Sequence, residues 1–279
     1  MDDLVTTDWL ARNLGTADLS IVDCSLFMPA DGRDPAAEFL AAHIPGARFF
    51  DIGAVSDRNH PAPHMLPPAA DFGAAMVMLG AGRDDRIIVY DNSPLRSAAR
   101  GWFMLRHFGA ERVAILDGGL QKWRREGRPL ESGSASLRQA RFEAIAATGA
   151  VVDKAELSGQ AELPVIDARG QPRFEGSEPD PRPGVAPGHI PGSRNLPYAA
   201  LYRDDGTLES EAALRAAFDA AGADPSRPFI ATCGSGVTAA SLIFAARRLG
   251  ERGAKLYDGS WSEWGADPAT PKELGPARP

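Results

Sequence analysis

Residues 228–250 read Pro-Phe-Ile-Ala-Thr-Cys-Gly-Ser-Gly-Val-Thr-Ala-Ala-Ser-Leu-Ile-Phe-Ala-Ala-Arg-Arg-Leu-Gly. The run from Pro228 to Thr232 is short and apolar, the pattern of a buried strand. From Ala239 to Arg248 the chain is alanine-rich with an apolar face, and Gly250 stands where a helix C-cap glycine belongs. A further apolar run, Ala254-Lys-Leu-Tyr257, follows. Strand, helix, strand predicts a parallel sheet flanked by helices. Cys233 falls at the end of the first strand, at the head of a Gly-Ser-Gly loop.

The same order occurs earlier in the chain. Arg86-Ile-Ile-Val-Tyr90 reads as a strand, Ser97 to Arg106 as a helix closed by Gly109, and Val113-Ala-Ile-Leu116 as the next strand. Three other landmarks recur in order. Leu19-Ser-Ile-Val-Asp23 matches Leu163-Pro-Val-Ile-Asp167. His43-Ile-Pro-Gly-Ala47 matches His189-Ile-Pro-Gly-Ser193. Leu116-Asp-Gly-Gly-Leu-Gln-Lys-Trp123 matches Tyr257-Asp-Gly-Ser-Trp-Ser-Glu-Trp264. An internal repeat of this kind predicts one supersecondary plan used twice. A length of 279 residues suits two domains. We expect two tandem α/β domains, residues 1–127 and 150–279. The Gly-, Ser- and Pro-rich stretch beginning at Gly127-Arg-Pro-Leu-Glu-Ser-Gly-Ser-Ala-Ser136 marks a linker over 128–149.

The net charge of −7, with acids spread along the chain, gives no basic patch for nucleic acid or a membrane surface. No apolar stretch approaches the roughly 18 residues a bilayer span needs. The N-terminus has no basic start followed by an apolar core, so no secretory leader is expected. Two cysteines, Cys24 and Cys233, make no disulfide framework and suit a reducing, cytoplasmic location. Two cysteines and five histidines offer no metal-ligand cluster, and no cofactor is expected.

Differences between the copies point to the chemistry. Aligned on Asp117 and Asp258, Cys233 falls opposite Asn92, and Gly234-Ser-Gly-Val-Thr238 opposite Ser93-Pro-Leu-Arg-Ser97. The first copy lacks the thiol and both glycines, so we read it as inactive. In the second copy Gly234 and Gly236 let the loop curl until its N–H groups point inward, and the helix N-terminus adds positive field. Such a nest favours an ionised sulfur and would equally hold a terminal persulfide. A lone cysteine at a strand end is ordinarily a small buried hydrophobe; the Gly-Ser-Gly context reverses that reading for Cys233. It leaves Cys24 structural.

The second copy also carries an insertion. Phe39 precedes His43 by four residues, whereas Phe174 precedes His189 by fifteen. The insertion brings Arg182, and Arg173 replaces Glu38 before the phenylalanine. Arginine clamps planar carboxylates, so a small anionic substrate is expected on Arg173 and Arg182. His43 and His189, kept in both copies, are read as structural, as are Trp123, Trp261 and Trp264. Asp167-Ala-Arg169 is expected to form a buried ion pair or turn contact.

At these residues the sequence resembles the tandem rhodanese-like sulfurtransferases, particularly their 3-mercaptopyruvate branch. The likeness rests on Cys233-Gly-Ser-Gly-Val-Thr-Ala239, Glu178-Pro-Asp-Pro-Arg182, Gly188-His-Ile-Pro-Gly192 and Tyr257-Asp-Gly-Ser-Trp261. Phe50-Asp-Ile52, Ser56-Asp-Arg58 and His64-Met-Leu-Pro67 match in the first half. The resemblance implies that Cys233 carries sulfur as a persulfide, held by the loop Gly234, Ser235, Gly236, Val237 and Thr238, with Ser235 relaying a proton. It implies that Arg173 and Arg182 hold the carboxylate and ketone of 3-mercaptopyruvate, and that His64, from the inactive domain, faces a cleft between the domains. A thiol such as reduced thioredoxin, or cyanide, would then accept the sulfur, with pyruvate released. One position departs from the pattern: where animal relatives carry an acid two residues after Phe-Asp, this chain has Gly53. Asp51 nearby is read as structural, and His64 is the remaining polar partner for Ser235.

The nearest rival is a thiosulfate sulfurtransferase, disfavoured because the Gly-Ser-Gly loop adds no positive charge. A cysteine phosphatase would want an arginine where Thr238 and Ala239 stand. A non-enzymatic sulfur-relay or binding module would have no use for the arginine pair.

Overall fold

The computed structural model describes residues 1–134, 138–159 and 163–277. The chain divides into two compact units. One comprises residues 1–56, 66–147 and 203–208; the other comprises 57–65, 148–202 and 209–279. Residues 135–137 of the expected linker lie outside the described residues. No helix among the described residues is long and apolar enough to cross a membrane.

In the first unit the strands are β1 (Leu4–Val5), β2 (Leu19–Asp23), β3 (Ala47–Phe49), β4 (Arg86–Tyr90) and β5 (Val113–Leu116). They form one parallel sheet in the order β1-β5-β4-β2-β3. Between them run α1 (Thr7–Asn13), α2 (Pro35–Ala41), α3 (Ala69–Leu79) and α4 (Ala98–His107), and α5 (Gly119–Arg125) follows β5. In the second unit β6 (Val151–Val152), β7 (Val165–Asp167), β8 (Arg194–Asn195), β9 (Ile230–Thr232) and β10 (Lys255–Tyr257) form a parallel sheet ordered β6-β10-β9-β7-β8. Its helices are α6 (Lys154–Ser158), α7 (Gln171–Glu175), α8 (Glu211–Ala220), α9 (Ala239–Arg248) and α10 (Ser260–Trp264). The two orders are the same when each strand is matched to its repeat. β4 from Ile87 to Tyr90 and all of β9 are buried, as near-continuous apolar runs in a parallel sheet require. Gly109 and Gly250 follow α4 and α9 with φ of 99° and 104°, the left-handed C-cap expected of them.

The landmarks kept in both copies are packing devices. His43 stacks on Phe39 at 4.0 Å between ring centroids and bonds the Phe39 carbonyl through Nδ1. His189 stacks on Phe174 at 3.8 Å and bonds the Phe174 carbonyl in the same way. Three intervening residues become fourteen, yet the same contact closes, so the insertion is an excursion from a preserved frame. Trp123 and Trp264 each donate Nε1–H to a proline carbonyl, of Pro129 and Pro271, at 2.7 Å.

The sheet registers correct one alignment. Asp23 lies opposite Tyr90 in the first sheet, and Asp167 opposite Thr232 in the second. Tyr90 therefore matches Thr232, and the residue matching Cys233 is Asp91 rather than Asn92. The physical reason is loop length: Asn92 to Ser97 is one residue longer than Gly234 to Thr238. Asp91 fills its own loop. Its Oδ1 accepts the Ser93 N–H at 3.0 Å and its Oδ2 the Ala98 N–H at 2.7 Å. The first copy thus holds a built-in carboxylate where the second has a sulfur.

The matched acids Asp23 and Asp167 are both buried but neutralised differently. Asp167 pairs with Arg169 at 2.7 Å, both side chains nearly fully buried. Asp23 has Ser25 at the position of Arg169, and burial pushes its carboxyl up to about 6, against the pull of bonds from Ser25 and Tyr90. The folded chain holds that proton to about pH 6, whereas the unfolded chain releases it near pH 3.9. Between those values the folded state binds more protons, so stability falls as pH rises, by about 3 kcal/mol in all. Asp23→Asn should therefore raise the thermal midpoint at about pH 7.5 and leave it nearly unchanged at about pH 4. An equal shift at both pH values would contradict this origin.

Candidate active site

Every expected site residue belongs to the second unit, including His64, which lies on the segment 57–65 that clusters with it. Cys233 directly follows β9 with 2% of its surface exposed, and the loop Gly234 to Thr238 leads into α9. Gly236 turns the loop with φ of 74°, a left-handed backbone that favours glycine. Val237 and Ala239 are buried and start α9 against the sheet.

The loop is tied down from the start of α10. Trp261 N–H donates to the Cys233 carbonyl and Ser262 N–H to the Gly234 carbonyl, each at 2.9 Å. The Ser262 hydroxyl also donates to the Gly234 carbonyl. Ser260 Oγ accepts the N–H groups of Cys233 at 3.2 Å and Gly236 at 3.0 Å. The backbone N–H groups of Gly234, Ser235, Val237 and Thr238 have no acceptor among the described residues. A curled loop with unspent N–H groups is an anion nest, and the α9 N-terminus adds to its field. A thiolate or a persulfide is the anion that Cys233 itself would supply.

The two arginines stand together at this loop. A Cβ placed on Gly234 would lie 3.3 Å from Arg182 Nη1 and 3.4 Å from Arg173 Nη2, so both guanidinium groups face the backbone next to Cys233. Both pair with one acid, in the Glu178-Pro-Asp-Pro-Arg182 stretch. Asp180, with a side chain 1% exposed, meets Arg173 Nη2 at 2.6 Å and Arg182 Nη1 at 3.3 Å. Its Oδ1 also accepts the Arg182 N–H at 3.0 Å. Two cations and one anion leave one positive charge. Arg173 Nε is buried without a hydrogen-bond partner among the described residues. In the first unit Glu38, matching Arg173, reaches the corresponding loop residue Asn92 at 3.1 Å and pairs with Arg33 at 2.6 Å. The cation site is thereby replaced by a closed ion pair.

Losing Asp180 should free the arginines from their shared anchor. Asp180→Asn is expected to raise KM for an anionic substrate about tenfold, with a smaller change in kcat. Alkylation of Cys233 should be little altered. An unchanged KM would remove Asp180 from the site.

His64 brings its ring to the loop. Its Nδ1 lies 3.0 Å from Ser235 Oγ. The backbone at His64 is left-handed, with φ of 62°, which a non-glycine residue rarely adopts and which recurs at functional positions. His60 steadies the same segment, with Nδ1 accepting the Ala62 N–H at 3.1 Å and Nε2 lying 3.7 Å from Glu263. Near Gly53, Asp51 Oδ1 accepts the Ala54 N–H at 2.9 Å, so Asp51 is spent on a turn.

Cys24 has the opposite surroundings. It is fully buried, its Sγ occupies the space beside Gly101, and burial with nearby Asp23 and Asp91 pushes its thiol well up. Both cysteines are free thiols. Among the described residues no group of His, Cys, Asp and Glu is arranged to hold a metal ion.

Two copies of one parallel α/β plan, with a cysteine-headed anion loop in the second, define a class that comparison identifies. The rhodanese-like domain model matches residues 6–126 and 152–267, and the chain belongs to this family, in its tandem-domain form. It is 44% identical over 273 residues to the 3-mercaptopyruvate sulfurtransferase of Escherichia coli K12, covering 96% of this chain and 97% of that one. It is 40% identical over 270 residues to the human 3-mercaptopyruvate sulfurtransferase, covering 94% and 91%. Among solved structures, SseA from Escherichia coli, a 3-mercaptopyruvate sulfotransferase, superposes with a TM-score of 0.85 at 42% identity, over 94% of this chain and all of that one.

Proposed function

We propose that this chain moves sulfur from 3-mercaptopyruvate through a persulfide on Cys233 to a thiol or cyanide acceptor, releasing pyruvate. The observation that carries this reading is the Arg173–Asp180–Arg182 cluster against the backbone of Gly234, beside a buried cysteine at the head of an anion nest. The single net positive charge of that cluster suits one carboxylate. A thiosulfate dianion would want more, and the loop adds no cation.

In this reading Arg173 and Arg182 hold the substrate carboxylate and ketone, and the Cys233 thiolate attacks the substrate sulfur. An S–S bond forms as the C–S bond breaks, and its electron pair goes to carbon as the enolate of pyruvate. The proton from the substrate thiol passes to that carbon; the contact of His64 with Ser235 at 3.0 Å supports these two as the groups that handle it. The persulfide anion rests in the nest formed by Gly234, Ser235, Gly236, Val237 and Thr238. An acceptor thiolate, reduced thioredoxin being the chemistry we favour, then attacks the outer sulfur and restores Cys233. A reducing compartment such as the cytoplasm would keep Cys233 ready.

The test compares the donors with cyanide as acceptor. Rapid pyruvate release from 3-mercaptopyruvate, with thiosulfate a poor donor, is expected. Preference for thiosulfate would overturn the substrate assignment and leave the nucleophile standing.

A further inference from the structure

Ser260 has an unusual backbone. Its φ is 50°, left-handed, in a residue that is fully buried. The bonding around it matches that of the first copy. Trp261 N–H reaches the Cys233 carbonyl as Leu120 N–H reaches the carbonyl of Asp91. The residue before Leu120 is Gly119, with φ of 55°, and a Cβ added there would collide with the Asp91 carbonyl. The fold thus wants this conformation in both copies, and the first copy meets it with glycine, at no steric cost. The second copy spends a side chain there.

That side chain is fully used. The Ser260 hydroxyl donates to the Tyr257 carbonyl at 2.9 Å and accepts N–H groups from Cys233 and Gly236. One donor and two lone pairs are all that a serine hydroxyl has. We propose that Ser260 is a positioning residue for the Cys233 loop: it anchors the first and fourth amides so that those between and beyond them converge on the sulfur. Its hydroxyl acts through the loop amides of Cys233 and Gly236. Strain at a non-glycine residue is retained where surrounding structure needs it, and here the need is a curved loop of fixed shape. The inference rests on Cys233 as the sulfur carrier.

The test sets Ser260→Gly beside Ser260→Ala. Glycine relieves the backbone and removes the hydroxyl; alanine removes the hydroxyl and keeps the strain. If Ser260 served folding alone, Ser260→Gly would match the wild type in every readout. We expect Ser260→Gly to melt close to the wild type. Its kcat with 3-mercaptopyruvate should fall about tenfold with KM changed no more than about twofold. The midpoint of the pH profile for Cys233 alkylation by iodoacetamide should move upward by about one pH unit, because a loosened nest stabilises an anion less. Ser260→Ala should show the same kinetic losses with a lower melting temperature. A wild-type alkylation profile and kcat in Ser260→Gly would overturn the proposal. Alkylation needs no substrate, so a wild type that released no pyruvate would sink the functional reading while the profiles still decided on Ser260.

Discussion

Cys233→Ser should lose pyruvate release from 3-mercaptopyruvate by about a thousandfold or more, because no other group in the site can become a persulfide. A serine hydroxyl in the same nest cannot accept sulfur as a stable, transferable anion. The substitution is nearly isosteric, so the sheet and the loop bonds from Ser260, Trp261 and Ser262 should persist. The control is the other thiol. Cys24→Ser places a hydroxyl in a fully buried pocket beside Gly101, which should cost about 1–3 kcal/mol of stability and leave the folded enzyme's turnover near normal. Comparable loss of turnover in the two variants, with both still folded, would contradict the division of roles.

The second large effect belongs to the arginine pair. Arg173→Gln and Arg182→Gln each remove a charge that faces the backbone of Gly234. A hydrogen bond to a charged group is worth about 1.5–3 kcal/mol, so each variant should lose about 10- to 150-fold in kcat/KM for 3-mercaptopyruvate. The two losses should not add, because Asp180 is shared. With one arginine gone, Asp180 cancels the charge of the other. Most of the electrostatic benefit disappears with the first substitution. Simple additivity in the double variant would mean that Asp180 does not couple them.

Much of this architecture is legible in the chain because the chain repeats itself. Where both copies keep a residue, as with His43 and His189 on Phe39 and Phe174, the feature is a frame element and the structure shows the same stacking twice. The Asp167–Arg169 ion pair follows from two charges at the end of a buried strand, which burial obliges to meet. Arg173 and the insertion's Arg182 do arrive at the cysteine loop.

What was not legible has physical causes. The repeat offset read from Asp117 and Asp258 places Asn92 opposite Cys233, but a one-residue difference in loop length moves Asp91 there. Sequence spacing does not distinguish these before the strands are paired. Asp180 lies in a proline-rich insertion with no periodicity, and that one buried carboxylate would meet both arginines depends on how the insertion folds back. Ser260 is silent because its role rests on a left-handed φ, and backbone conformation is not written in a serine. The substitution of Gly119 by Ser260 across the copies was the available signal.

The central claim is that sulfur rests on Cys233. The direct measurement is the intact mass of the protein after exposure to 3-mercaptopyruvate without an acceptor, followed by peptide mapping. One added sulfur atom on the peptide containing Cys233, with one pyruvate released per chain and loss of the sulfur on adding cyanide, is the expected result. Sulfur on Cys24, or continuing pyruvate release with Cys233 unmodified, would contradict it.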